Sequence, residues 1–130
     1  DALVFVGRDL RNGEEMADFI EETIASYHFH LKLAKRLRAQ APTDVVALTE
    51  ASAAGDEATL AADIRNGALR QMSLVAASEG GPMQPPLLAN AVIVSGQPSG
   101  EPSASLTALL GRLLARPQGY VTGTSLSVAL

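Results

Sequence analysis

Apolar and polar positions fall in blocks along this chain, and each block has the length of one secondary-structure element. The sequence opens on Asp1-Ala2-Leu3-Val4-Phe5-Val6-Gly7, a short β-branched run, and Asp44-Val45-Val46-Ala47-Leu48 and Leu87 to Val94 are runs of the same kind. Continuous apolar runs of this length, bounded by Pro, Gly and polar residues, predict strands buried on both faces, as in a parallel sheet. Between the runs, apolar residues recur with helical spacing. From Glu14 to Gln40 they are Met16, Phe19, Ile20, Ile24, Tyr27, Leu31, Ala34 and Leu37. From Asp56 to Ala77 they are Leu60, Ile64, Ala68, Leu69, Met72, Val75 and Ala76. From Ser103 to Ala115 they are Leu106, Leu109, Leu110, Leu113 and Leu114. Each set predicts an amphipathic helix with one broad buried stripe.

Local signals punctuate these elements. Asn12-Gly13 marks a turn before the first helix, whose acidic start (Glu14, Glu15, Asp18, Glu21, Glu22) and basic end (Lys32, Lys35, Arg36, Arg38) both complement the helix dipole. Glu79-Gly80-Gly81-Pro82 predicts a glycine C-cap for the second helix, Ser103 or Ser105 an N-cap for the third, and Arg116-Pro117 its stop. Strands alternating with helices predict an α/β fold: a three-layer, mostly parallel, Rossmann-like sheet with helices on both faces, forming one domain over residues 1–130.

Composition narrows the function classes. With 130 residues, 47% apolar and 18% charged, the chain can bury a modest single core. A net charge of −4 without a basic stripe argues against nucleic acid, and 4% aromatic residues argue against a base-stacking platform. Cysteine is absent, which removes disulfides and thiolate metal sites. No apolar run reaches the length of a membrane span and no signal-peptide pattern is visible, so the cytoplasm is the expected location and no membrane partner is expected.

Chemistry-bearing residues are sparse. His28 and His30, at i and i+2, would point about 200° apart on a helix and cannot share a metal ion, so they read as ordinary helix side chains. Glu50, Asp56, Glu57 and Asp63 surround the expected mouth between the second strand and the second helix. Paired carboxylates there could do acid–base work if burial separated their pKa values, but a solvated loop and first helical turn is the stronger reading. No P-loop, GxSxG elbow or GxGxxG turn occurs.

The segment from Thr43 to Ala77 resembles the catalytic centre of the short-chain dehydrogenase/reductase family, in particular the β-ketoacyl carrier-protein reductases. Gly67-Ala68-Leu69-Arg70-Gln71-Met72 is similar to the residues that follow that family's catalytic lysine. The match puts Asn66 in the Lys position, Ala62 in the Tyr position, Thr49 in the Ser position and, counting back from Lys35, Ser26 in the slot of the relay asparagine. It also puts Gly7 in the loop that lines the cofactor, Asn90-Ala91-Val92 in the sixth strand, Ser95 to Ser103 in place of the substrate lid, and Tyr120-Val121-Thr122-Gly123 in the turn to the last strand. The resemblance implies the C-terminal half of a Rossmann-type domain, with the first three strands and the dinucleotide loop missing.

The family's reaction needs a tyrosine as proton donor and a lysine that lowers its pKa. Ala62 and Asn66 supply neither, and only Thr49 keeps a polar group at a Ser-like position, with Gly7 and Asn90 as weak cofactor contacts. The expected function is therefore that of a degenerate, non-catalytic reductase-like domain. It would bind no cofactor and act by homodimer or homotetramer formation through the 14–40 and 56–77 helices, or by supporting an active reductase, as in the large reductases of fatty-acid and polyketide metabolism. Tyr27 and Leu69 are the expected seam positions, and the open edge of residues 1–7 would be covered by further chain. The alternative is an NAD(P)-dependent oxidoreductase of carbonyl or hydroxyl substrates whose cofactor-binding half lies outside this sequence.

Overall fold

The apolar runs 43–50 and 87–95 lie side by side as the two central strands of a parallel sheet, nearly every residue of both buried. The computed structural model describes residues 2–51, 56–95, 104–114 and 122–129. Its elements are β1 (Ala2–Val6), α1 (Met16–Leu37), β2 (Thr43–Glu50), α2 (Glu57–Gly80), β3 (Leu87–Ser95), α3 (Ala104–Leu114) and β4 (Ser125–Ala129). The four strands are all parallel and stand in the order β1-β2-β3-β4. This is the α/β, Rossmann-like architecture that the alternating blocks predict.

Side-chain alternation along the strands divides the core in two. Phe5, Val45, Ala47 and Ala91 face α1 and α2, where Tyr27, Ala34 and Leu69 meet them. Val46, Val92 and Val94 face the other way, beneath Leu113 and the remaining leucines of α3. Fully burying a Val or Leu side chain is worth about 1.5–3 kcal/mol, so the leucine stripe of α3 is what holds that helix to the sheet. With strands in sequential order, two helices on one face and one on the other, the third crossover is opposite in hand to the first two. The leucines that the spacing of α3 predicts all pack toward the sheet, Leu113 buried and Leu106, Leu109, Leu110 and Leu114 half-buried; Ser103, Arg116 and Pro117 lie outside the described residues.

Two glycine turns match the sequence reading. Gly13 (φ 80°) precedes α1 and Gly123 (φ 71°) precedes β4, both in the left-handed region that glycine adopts without steric cost. The end of α2 differs. Gly81 caps it in the right-handed conformation (φ −58°), not as a left-handed glycine cap. Gly80 answers a packing demand instead: a Cβ there would lie 2.6 Å from Leu87 Cβ and 2.8 Å from its carbonyl oxygen.

The phase of α2 is the main departure from expectation. Its inward side is Ala61, Ala62, Arg65, Asn66, Leu69, Ser73, Ala77 and Gly80. Leu60, Ile64 and Val75, expected in the buried stripe, are 54%, 41% and 47% exposed. Close approach to β3 favours small residues along most of the inward side, with Leu69 and Arg65 the large ones there, and leaves Leu60, Ile64 and Val75 outward. Tyr27 and Leu69 are likewise not seam residues. Both are buried within the chain, Tyr27 against Phe5 with its hydroxyl 2.6 Å from Ser73 Oγ, and burial raises its pKa above the ordinary tyrosine value.

Candidate functional site at the carboxyl ends of the strands

In open parallel sheets ligands bind in the crevice beyond the carboxyl ends of the strands. Here that place lies between Gly7, which follows β1, and Thr49–Glu50, which end β2. Gly7 N–H continues the ladder by donating to Leu48 O (2.9 Å). A Cβ on Gly7 would sit 2.6 Å from Thr49 Cγ2, so the glycine admits the threonine methyl, and Arg65 Cδ and Leu69 Cδ1 close the same space at 3.6 Å. Thr49 is buried beneath this contact.

The inward side of α2 supplies the rest. Ala62 and Asn66, one turn apart, are both buried, and Arg65 between them is fully buried. The Arg65 guanidinium bridges both strand ends: Nη1 donates to Arg8 O (2.8 Å) and to Asp9 Oδ1 (2.7 Å), and Nη2 donates to Glu50 O. Nε donates to Asn66 Oδ1 (3.1 Å), and Asn66 Nδ2 reaches the same Glu50 carbonyl at 3.4 Å. A rigid planar fork of donors suits this task, because it meets several acceptors at fixed angles while the charge stays shielded from water. A buried cation thus holds the ends of β1 and β2 together.

A second cluster flanks the mouth. Arg8 forks onto both oxygens of Glu14 (2.8 and 2.7 Å), reaches Glu22 (2.6 Å) and lies 5.1 Å above the Phe19 ring. Glu14 Oε1 also accepts from Arg11 N (3.0 Å). These hydrogen bonds, that from Arg8 foremost, lower the Glu14 pKa from 4.5 to about 2, and the Glu14 partner raises that of Arg8.

The residues singled out in the sequence fall into separate places. Gly7 and Thr49 pack together, Asn66 reaches the carbonyl of the next residue, Glu50, and Ala62 lies one helical turn from Asn66. Asn90 does not join them. It points to the opposite face of the sheet, about 10 Å along the strands from the level of Thr49, where its Oδ1 accepts from Thr124 N (3.1 Å) and Oγ1 (2.7 Å). Ser26 lines a small cavity of about 150 Å³ beside Phe5, Val6 and Arg8.

His28 borders the α1–α2 groove, while His30 bonds Ser26 O (2.8 Å) and packs edge-on against Phe5. Glu50, Asp56, Glu57 and Asp63 are all exposed, and Asp56 caps α2 by accepting from Ala58 N (3.0 Å). Tyr120 and most of the lid-like segment 95–103 lie outside the described residues. Sequence reasoning missed Arg65, although one signal was present: it shares the inward phase of Ala61, Ala62 and Leu69, where a lone cation must find partners.

Compared with models of known protein families, the chain matches none, and no curated protein matches it. Among the described residues, no helix is long and apolar enough to cross a membrane.

Proposed function

We propose that the chain is a degenerate, non-catalytic domain of the short-chain dehydrogenase/reductase type that works by association, pairing with a second copy through the outward sides of α1 and α2. The observation that carries this reading is Arg65. Where an active site would need open space and a proton donor, the guanidinium lies between the carbonyls of Arg8 and Glu50, and its neighbours Ala62 and Asn66 have no group that titrates near neutrality. A cation locked into backbone carbonyls holds structure and moves no proton.

The outward sides of the two helices support the association. Ile20, Ile24 and Ile64 line a broad apolar depression between α1 and α2, and Leu60 stands exposed one turn before Ile64. Contiguous exposed apolar surface of this kind marks interaction sites. Light scattering should give a dimer or tetramer for the native chain. Charge on the outward side, as in Ile64→Glu, should lower the mass while the circular dichroism spectrum stays native. A well-folded native monomer at high concentration would overturn the proposal.

A further inference from the structure

The groove between α1 and α2 changes character along its length. Its half near the carboxyl ends of the strands is lined by isoleucines; its half near their amino ends is a deeper pocket of about 460 Å³, within the ~300–1,000 Å³ usual for small-molecule sites. Leu31, Met72, Met83 and Leu87 line this pocket, with Val75 on the α2 wall. The methionines give it adaptable walls. Along the α1 wall run His28, Lys32 and Lys35, spaced i, i+4 and i+7 and so on one side of the helix. Among the described residues neither lysine takes part in an ion pair. One acid, Glu79, stands on the opposite wall.

We infer that this pocket binds an anionic amphiphile, a medium-length unbranched alkyl chain bearing one carboxylate. The apolar walls take the chain, and the Lys32–Lys35 pair holds the carboxylate at the rim with its charge partly in water. The favourable term grows with the apolar area removed from water, so the tail carries most of the affinity and the lysines select the head group. Lysine is depleted at the cores of protein–protein interfaces, which favours a small ligand over a second copy in this half of the groove. The inference is independent of the proposed association, which rests on Ile20, Ile24 and Ile64 and is read by particle mass.

Calorimetric titration with dodecanoate below its micelle concentration tests it, with dodecanol and dodecyltrimethylammonium as comparators. The expected result is saturable one-to-one binding of dodecanoate, weaker binding of dodecanol and none of the cation. Lys32→Glu with Lys35→Glu, both exposed and so tolerated by the fold, should weaken dodecanoate about tenfold or more and leave dodecanol unchanged. Val75→Glu, on the facing wall, should weaken both. Absence of saturable binding, or equal dodecanoate affinity in the double-lysine variant, would overturn the inference. Binding to the dissociated Ile64→Glu variant alone would also overturn it, by assigning the pocket to the second copy.

Discussion

The two ends of the sheet are built on opposite terms. At the carboxyl end, charged side chains turn inward and close the crevice: Arg65 spans the ends of β1 and β2, and Arg8 locks onto Glu14 and Glu22 beside it. At the amino end, on the side of α1 and α2, Lys32 and Lys35 stand at the rim of an open pocket over Leu31, Met72 and Leu87, while Asp44 is buried at the start of β2 and Arg38 donates to Pro85 O (3.2 Å). Among the described residues, Arg65 thus ties together the ends of β1 and β2, at the end where α/β sheets ordinarily receive ligands.

Removing the seal should have the largest effect. Arg65→Met keeps much of the volume but leaves the Arg8 carbonyl and Asn66 Oδ1 without the guanidinium donor, and the Glu50 carbonyl with only the long contact from Asn66 Nδ2. Breaking a buried charged network costs about 3–5 kcal/mol, and urea unfolding of the purified variant should show a loss of that size. Arg65→Lys should recover only part of it, because an ammonium cannot reproduce the planar fork. If Arg65→Met proved as stable as the native chain, the guanidinium would be a passenger and the contrast between the two ends would vanish.

How far the sequence could be read depended on which physical signal set each feature. β2 and β3 were legible because burial on both faces leaves an unbroken apolar run, and α3 because its leucines all point one way. The phase of α2 was not. Periodicity weighs large apolar residues, whereas a helix pressed against a sheet is chosen by what fits, here Ala61, Ala62, Ser73, Ala77 and Gly80. The same rule hid Arg65: the family resemblance could place Thr49, Ala62 and Asn66, yet the buried side chain joining the strand ends is an arginine that looks like surface in any hydropathy count. Asn90 had only the resemblance to the family's sixth strand to place it, and its partner Thr124 is distant in sequence.

The amino end offers a smaller effect with a steric origin. At Gly80 the α2 backbone and the start of β3 come so close that the Cβ of an alanine would meet Leu87 Cβ at 2.6 Å. The obstacle includes the Leu87 backbone oxygen, which no rotamer change removes, so the helix end must lift. Gly80→Ala should lose about 1–3 kcal/mol in urea melts even though alanine is the better helix former. Gly67, with open space around it in the same helix, is the control: Gly67→Ala should hold or gain stability. Equal effects at the two glycines would mean that close packing does not set the phase of α2.

The smallest effect belongs to the exposed part of the carboxyl-end charges, and pH separates it from the buried part. Glu14 has its pKa lowered to about 2, chiefly by the Arg8 hydrogen bonds and then by Arg11 N–H, against an ordinary value of 4.5. A carboxylate whose pKa is lower in the folded chain contributes stability that is complete above the unfolded value and disappears as pH falls through the folded one. The gap in melting temperature between the native chain and Glu14→Gln should therefore be constant above about pH 5 and close as pH falls from 4.5 towards 2. Because the pair is reached by solvent, added salt should narrow the gap at neutral pH, which it should not do for Arg65→Met. A gap that stays open at pH 2, or a carboxyl NMR titration of Glu14 with its midpoint near 4.5, would show that Arg8 does not hold this side chain in solution. The seal at the carboxyl end would then rest on Arg65 alone.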